Sequence, residues 1–348
     1  MPWVRPSYAA VGTLNIYNWS YYIGETTIED IQSESGINVV YDLYASKEEM
    51  QAKIRAGSTG YDLVIQSCRA LPQFIKAGIC QKIDHAKLKN WVNLDPDILK
   101  FVDGLDPSSL WRTLYVGLCR VHFKHGHEKK CLPDVDLSSL DLIFKPENAA
   151  KLADCGISLL DRPTDIGFIV LSMLGIDPSN AGPDEYKKMV DAFKPIHKYI
   201  TTFDNSNYLT ALPNKEICVA NTWSGDYNVG EARAKDAGIA LNLQYFVLKT
   251  GVPACIDLWS IPADAKSVDN AYVFLDYMLR PEVIAKCTDF TDYANANKAA
   301  TALVDPTISA DPAIYPDPAT LSRMYMPKPQ TEEQERDLTR AWAEIMAS

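Results

Sequence analysis

No window of the 348-residue sequence approaches the run of about eighteen apolar residues that a membrane span requires. Enzyme signatures are missing as well: there is no GxSxG nucleophile turn, no GxxxxGK phosphate loop, no HExxH zinc pair and no GxGxxG after a strand. None of the eight cysteines forms a CxxC, which argues against a zinc ribbon or finger, and eight in a chain this long do not make a small disulfide scaffold; most read as buried small hydrophobes. Positive charge is scarce. Lys and Arg number 34 against 45 Asp and Glu, for a net charge of −11, and they are scattered rather than gathered into a stripe, so nucleic acid is a poor partner. The acidity favours cationic ligands but is equally what solubility requires. No apolar run of signal-peptide length precedes the first strand pattern; MPWVRPSYAAVGTLNIYNW reads as a mature chain with a short leader, which leaves the compartment open. Internal repeats and low-complexity linkers are absent.

What is present is length and rhythm. The chain exceeds what one hydrophobic core usually supports, so two lobes are expected. TLNIYNW alternates as a strand, TTIEDIQSESG reads as a helix closing on Gly36, INVVYDLY as a second strand, SKEEMQAKIRAG as a helix stopping at Gly57, and YDLVIQ as a third strand. That is the βαβ pattern of a mostly parallel sheet flanked by helices, which binds ligands beyond the carboxyl ends of its strands. Trp19 to Tyr22 and Ser67 to Arg69 follow strands and fall at that rim. Further on, helices are expected around Pro146–Ala153, Ile166–Leu174 and Pro183–Ile200, a strand at Glu216–Trp223, two strands between Ile239 and Asp264 joined at Gly251, a helical stretch interrupted at Pro281, and a last helix from Glu332 to Met346.

The chemistry-bearing pattern is aromatic and acidic residues at strand ends: Trp19 and Tyr22, Trp223 with Asp226, Asp257 with Trp259, and Tyr293. An alkylammonium needs carboxylates or π-faces for its charge, at about 0.5–2 kcal/mol per cation–π contact. Its methylenes need flat apolar walls, at about 0.8 kcal/mol per buried CH₂. Aromatics set between carboxylates serve both needs, although any one of these rings alone could be core. His122, His125 and His127 with Cys131 have a spacing that could ligate a metal or simply belong to a solvated loop; no metal site or cofactor is expected.

LNIYNWSYYIG, INVVYDLY, AGSTGYDLVI, DLIFKPENAAKL and YANANKAAT strongly resemble blocks of the bacterial periplasmic polyamine-binding proteins, the putrescine- and spermidine-binding components of ABC transporters. The resemblance runs from about Leu14 to Trp342. It implies an α/β, two-lobe periplasmic binding protein fold of type II, with a polyamine held in the cleft between lobes and handed to an ABC permease. It also implies a monomeric, non-enzymatic protein of the periplasm, not inserted in the membrane. The lobes are expected at 1–113 plus 255–295 and at 114–254 plus 296–348. Carried over residue by residue, the ligand-binding positions are Trp19, Ser20, Tyr21, Tyr22, Ser67, Arg69, Asp165, Trp223, Asp226, Cys255, Asp257 and Tyr293. Cys155 and Cys218 fall where the family has a disulfide, as an oxidising compartment allows.

Departures from the family pattern cluster in those segments. NWSDY reads NWSYY, putting Tyr21 where an acid would bind an ammonium; PSxxFL reads QSCRAL, introducing Cys68 and Arg69; Cys119 and Arg120 stand near the lobe crossover; Cys255 replaces an aromatic of the FFD wall. The arginines either face the ligand or pair elsewhere. If they face it, the same scaffold suits a monoamine or zwitterion, with Asp226 or Asp257 taking the amine. A ligand-sensing role is also compatible with such a scaffold.

Overall fold

The computed structural model describes residues 12–20, 22–44, 47–67, 70–103, 114–124, 136–239 and 243–348. These fall into two compact units. One comprises the residues up to Val116 with Ile256–Ala310, the other Gly117–Cys255 with Asp311–Ser348. The segment 296–310 packs on the first unit, not with the second as the sequence reading had it: Asp95 N–H donates to the Ala296 carbonyl at 2.8 Å, and Asn297 Nδ2 donates to the Leu279 carbonyl at 2.7 Å.

The first unit opens with β1 (Thr13–Asn18), α1 (Thr27–Ser35), β2 (Asn38–Leu43), α2 (Lys47–Ala56) and β3 (Leu63–Ser67). β1 pairs in parallel with β2 and with β3, as the βαβ rhythm requires. α1 stops at Gly36, whose φ of 78° is left-handed and lets its N–H close on the Gln32 carbonyl. Between β1, β3 and the helix α3 (Leu71–Lys76) lies a core of Tyr17, Tyr44, Met50, Ile54, Tyr61, Val64 and Phe74. Tyr17 stacks on Tyr61 at 4.4 Å and meets Tyr44 edge-on at 4.9 Å.

The second unit is built on β4 (Leu114–Lys124, from Gly117 on), β5 (Ile157–Leu159), β6 (Thr202–Phe203), β7 (Val219–Trp223) and β8 (Leu243–Phe246). β7 pairs antiparallel with β4 and parallel with β5, which continues to β6, while β8 lies antiparallel on β4. Its core gathers Leu142, Ile157, Leu159, Val170, Phe193, Val219 and, from the end of the chain, Leu338, Trp342 and Ile345. Cys155 and Cys218 are joined in a disulfide, as the resemblance implied. Beside the bridge Gly156 takes φ +89°, where a Cβ would stand 2.6 Å from the Glu216 carbonyl oxygen. The helix expected over Pro183–Ile200 ends at Phe193, because Pro195 supplies no N–H to carry the hydrogen-bond ladder on.

β9 (Val252–Ser260) begins in the second unit, where Met324–Tyr325 pair with it, and its latter part lies antiparallel on β3 in the first. There Val268–Met278 and Pro281–Thr291 form two helices, divided at Arg280, whose backbone is extended ahead of Pro281. The closing helix, Glu332–Met346, has the expected bounds and starts with a capping box between Thr331 and Gln334.

Candidate functional site

In the first unit the candidates collect at one rim because of strand direction. β1 and β3 run parallel toward the same edge, and the antiparallel register sets Asp257 of β9 directly opposite Ser67, the last residue of β3. Trp19 follows β1 and is fixed from both sides. Its N–H donates to Oδ1 of buried Asn18 at 2.7 Å, and its ring lies 4.3 Å from that of Tyr44. Asn18 Nδ2 in turn donates to Tyr41 at 2.6 Å, and the Tyr44 hydroxyl donates to the Ile65 carbonyl at 2.8 Å. Burial, reinforced by the Asp257 carboxylate nearby, pushes the Tyr44 phenol above its ordinary pKa, so it remains a neutral donor.

Asp257 is half-buried and accepts a hydrogen bond from the Tyr22 hydroxyl on Oδ2. That carboxylate is thereby held in one orientation. Ser20 is exposed in the turn after Trp19, and Tyr293 is half-buried on the loop after Pro281–Thr291. Trp259, read from the sequence as a partner of Asp257, does not belong here. It is 0% exposed and packs edge-on against Phe274 at 5.3 Å, because two residues further along β9 the sheet is covered by the helix Val268–Met278.

The second unit presents a parallel arrangement. Trp223 ends β7, half-buried, and Asp226 is the first residue of the helix Asp226–Asp236, where the helix dipole favours a negative charge. The buried Tyr208 donates its hydroxyl to Asp226 Oδ2. Asp165 sits in the turn Pro163–Gly167 and is completely buried. Its partner, not singled out from the sequence, is Arg162, whose Nε lies 2.6 Å from Asp165 Oδ2 and whose guanidinium lies 5.0 Å from the Trp223 ring centre.

Tyr21, Cys68 and Arg69, along with His125, His127 and Cys131, lie outside the described residues, as do the side chains of Cys119, Arg120, His122 and Cys255. Two tyrosines that the sequence reading passed over, Tyr44 and Tyr208, brace the residues it did name. Nothing in the sequence marks them apart from other core tyrosines. Each unit thus offers a carboxylate oriented by a phenol near a tryptophan, chemistry suited to holding an organic cation.

Residues 26–316 match the family model described as bacterial extracellular solute-binding protein. The chain is 40% identical over 341 residues to the putrescine-binding periplasmic protein PotF of Escherichia coli, covering 96% of this chain and 91% of that one. It is 38% identical over 339 residues to the putrescine-binding periplasmic protein SpuD of Pseudomonas aeruginosa, covering 95% and 91%. Among solved structures, the spermidine/putrescine transporter substrate-binding protein PotD of Streptococcus pneumoniae superposes with a TM-score of 0.83 at 22% identity, over 97% of this chain and 99% of that one, a likeness of fold. The fold is accordingly the α/β type II periplasmic binding protein fold expected from the sequence.

Proposed function

Since the chain belongs to the bacterial extracellular solute-binding protein family, we propose that it captures a polyamine of the putrescine and spermidine class, as PotF and SpuD bind putrescine by name, and delivers it to an ABC permease. The observation that carries this reading is the repeated motif of a tyrosine-oriented carboxylate with a tryptophan nearby: Asp257 with Tyr22 and Trp19 in one unit, Asp226 with Tyr208 and Trp223 in the other. An alkylammonium requires a carboxylate for its charge and an aromatic face for its methylenes, and each unit offers both. The phenols raise specificity by preorganisation, since a fixed carboxylate loses little further freedom when the ligand arrives.

In this reading the protein acts as a monomer in the periplasm and performs no chemistry on its ligand. Calorimetric titration of ligand-free protein with putrescine, spermidine, a monoamine and neutral amino acids tests the proposal. Binding of putrescine or spermidine at micromolar concentration or tighter, with strong salt dependence, is expected. Heat with the monoamine or an amino acid and none with either polyamine would reject it.

A further inference from the structure

Asn18, the last residue of β1, is 0% exposed and has both ends of its side-chain amide engaged. Oδ1 accepts the Trp19 N–H at 2.7 Å, and Nδ2 donates to the Tyr41 hydroxyl at 2.6 Å. The backbone carbonyl of Asn18 accepts the Tyr44 N–H at 3.0 Å, and the Tyr44 ring lies 4.3 Å from that of Trp19. Tyr41 belongs to β2 and Tyr44 directly follows it, so Trp19 is located twice, through its N–H and through its ring, against the same stretch of the neighbouring strand. Burial pushes the Tyr41 phenol above its ordinary pKa, and it remains a hydroxyl able to accept from the amide.

Resting on the polyamine reading, the geometry points to Asn18 as a positioning residue of the first unit, which raises affinity for an alkylammonium by holding the Trp19 indole in place. An indole already fixed has little freedom left to lose when the ligand arrives, whereas a loose one must be ordered at the expense of binding. The place demands an amide. The Trp19 N–H can only donate and so fixes Oδ1 toward itself, which leaves Nδ2 for a hydroxyl that can accept. A leucine of similar shape would leave both the Trp19 N–H and the Tyr41 hydroxyl without this partner, and an aspartate would bring a charge into the interior. Tyr41 acts at one remove, by anchoring the far end of the amide.

The test combines calorimetric titration with putrescine and spermidine and fluorine NMR of samples grown with 5-fluorotryptophan, on the wild type, Asn18→Leu and Tyr41→Phe, each first checked for folding by circular dichroism. The chain has seven tryptophans, and the Trp19 resonance is the one that Trp19→Phe removes. In ligand-free Asn18→Leu that resonance broadens or splits, and putrescine binds about tenfold more weakly than to the wild type, the cost of ordering one large side chain. Tyr41→Phe keeps the Oδ1 contact and loses only the far anchor, so the same two changes are expected with an affinity loss of about threefold. Should Asn18→Leu not fold, Tyr41→Phe carries the test.

A folded variant whose Trp19 resonance stays sharp and unshifted overturns the assignment whatever its affinity, because Asn18 then does not hold the ring. A disturbed resonance with wild-type affinity also overturns it, because the position of Trp19 would then not matter to binding. Both outcomes leave polyamine binding by the wild type intact. A wild type that binds neither putrescine nor spermidine overturns the polyamine reading itself, and the assignment with it.

Discussion

Opening the Cys155–Cys218 bridge should cost the second unit a large part of its stability. The two cysteines are separated by 63 residues, and releasing a loop of that length returns about 4 kcal/mol of chain entropy to the unfolded state. For a unit of this size each kcal/mol shifts the midpoint by roughly 2–4 °C, so Cys155→Ala/Cys218→Ala should melt roughly 8–16 °C below the wild type. Alanine suits both positions because Cys218 is buried against β5 and neither thiol would then need a partner. Scanning calorimetry with and without reductant gives the comparison, and thiol titration in denaturant confirms that the unreduced wild type holds the pair oxidised. A difference below about 1 kcal/mol in proteins whose oxidation state has been verified would refute the loop-closure account.

Asp257→Asn removes the charge that Tyr22 orients and should weaken putrescine binding by about ten- to a hundredfold, the value of a charged hydrogen bond, whereas Tyr22→Phe should cost only a few-fold; titration calorimetry separates the two. Gly156→Ala forces a side chain into left-handed backbone and against the Glu216 carbonyl, and should destabilise by about 2 kcal/mol or more in urea unfolding. The first unit should also be sensitive to alkali. Burial, then the nearby Asp30 and Glu34 carboxylates, raise the Tyr277 phenol from 10.0 to about 12, and burial likewise raises Tyr41, Tyr44 and Tyr61. Below pH 10 these phenols are protonated whether the chain is folded or not, and their contribution is complete. From pH 10 to 12 the unfolded chain ionises first, so stability falls as pH rises. Tyrosinate absorbance and circular dichroism followed together should show ionisation coinciding with loss of structure; gradual ionisation with structure retained would count against it.

The sheet of the first unit was legible because its signals are local. Alternation marks β1 to β3, and Gly36 and Gly57 end the intervening helices at positions where left-handed backbone is needed. Pro281 announced the break between the two helices that follow β9, while Pro195 ended a helix that the hydrophobic pattern would have carried on to Ile200. At the site, position at or after a strand end was the useful cue, and it found Trp19, Trp223 and Asp226, whereas Asp257 lies within β9 and reaches the rim by pairing with the last residue of β3. Reading Asp257 and Trp259 together as a strand-end pair misassigned Trp259, since two residues along a strand separate a rim from a core and only the covering helix decides which is which. Arg162 went unnoticed for a different reason. An arginine three residues before an aspartate looks like an ordinary surface pair; the burial of Asp165 and the arrival of Trp223 from a distant strand are tertiary facts.

The core of the second unit includes Leu338, Trp342 and Ile345, with Trp342 set edge-on to Phe193 at 5.8 Å and donating to Asp161 at 2.7 Å. During synthesis these residues leave the ribosome after every other buried member of that core. Until the 15-residue closing helix emerges, that unit has an open flank and no complete hydrophobic interior. That unit therefore cannot complete its interior until residue 345 has been made, an interval in which its apolar surface stays open to a chaperone.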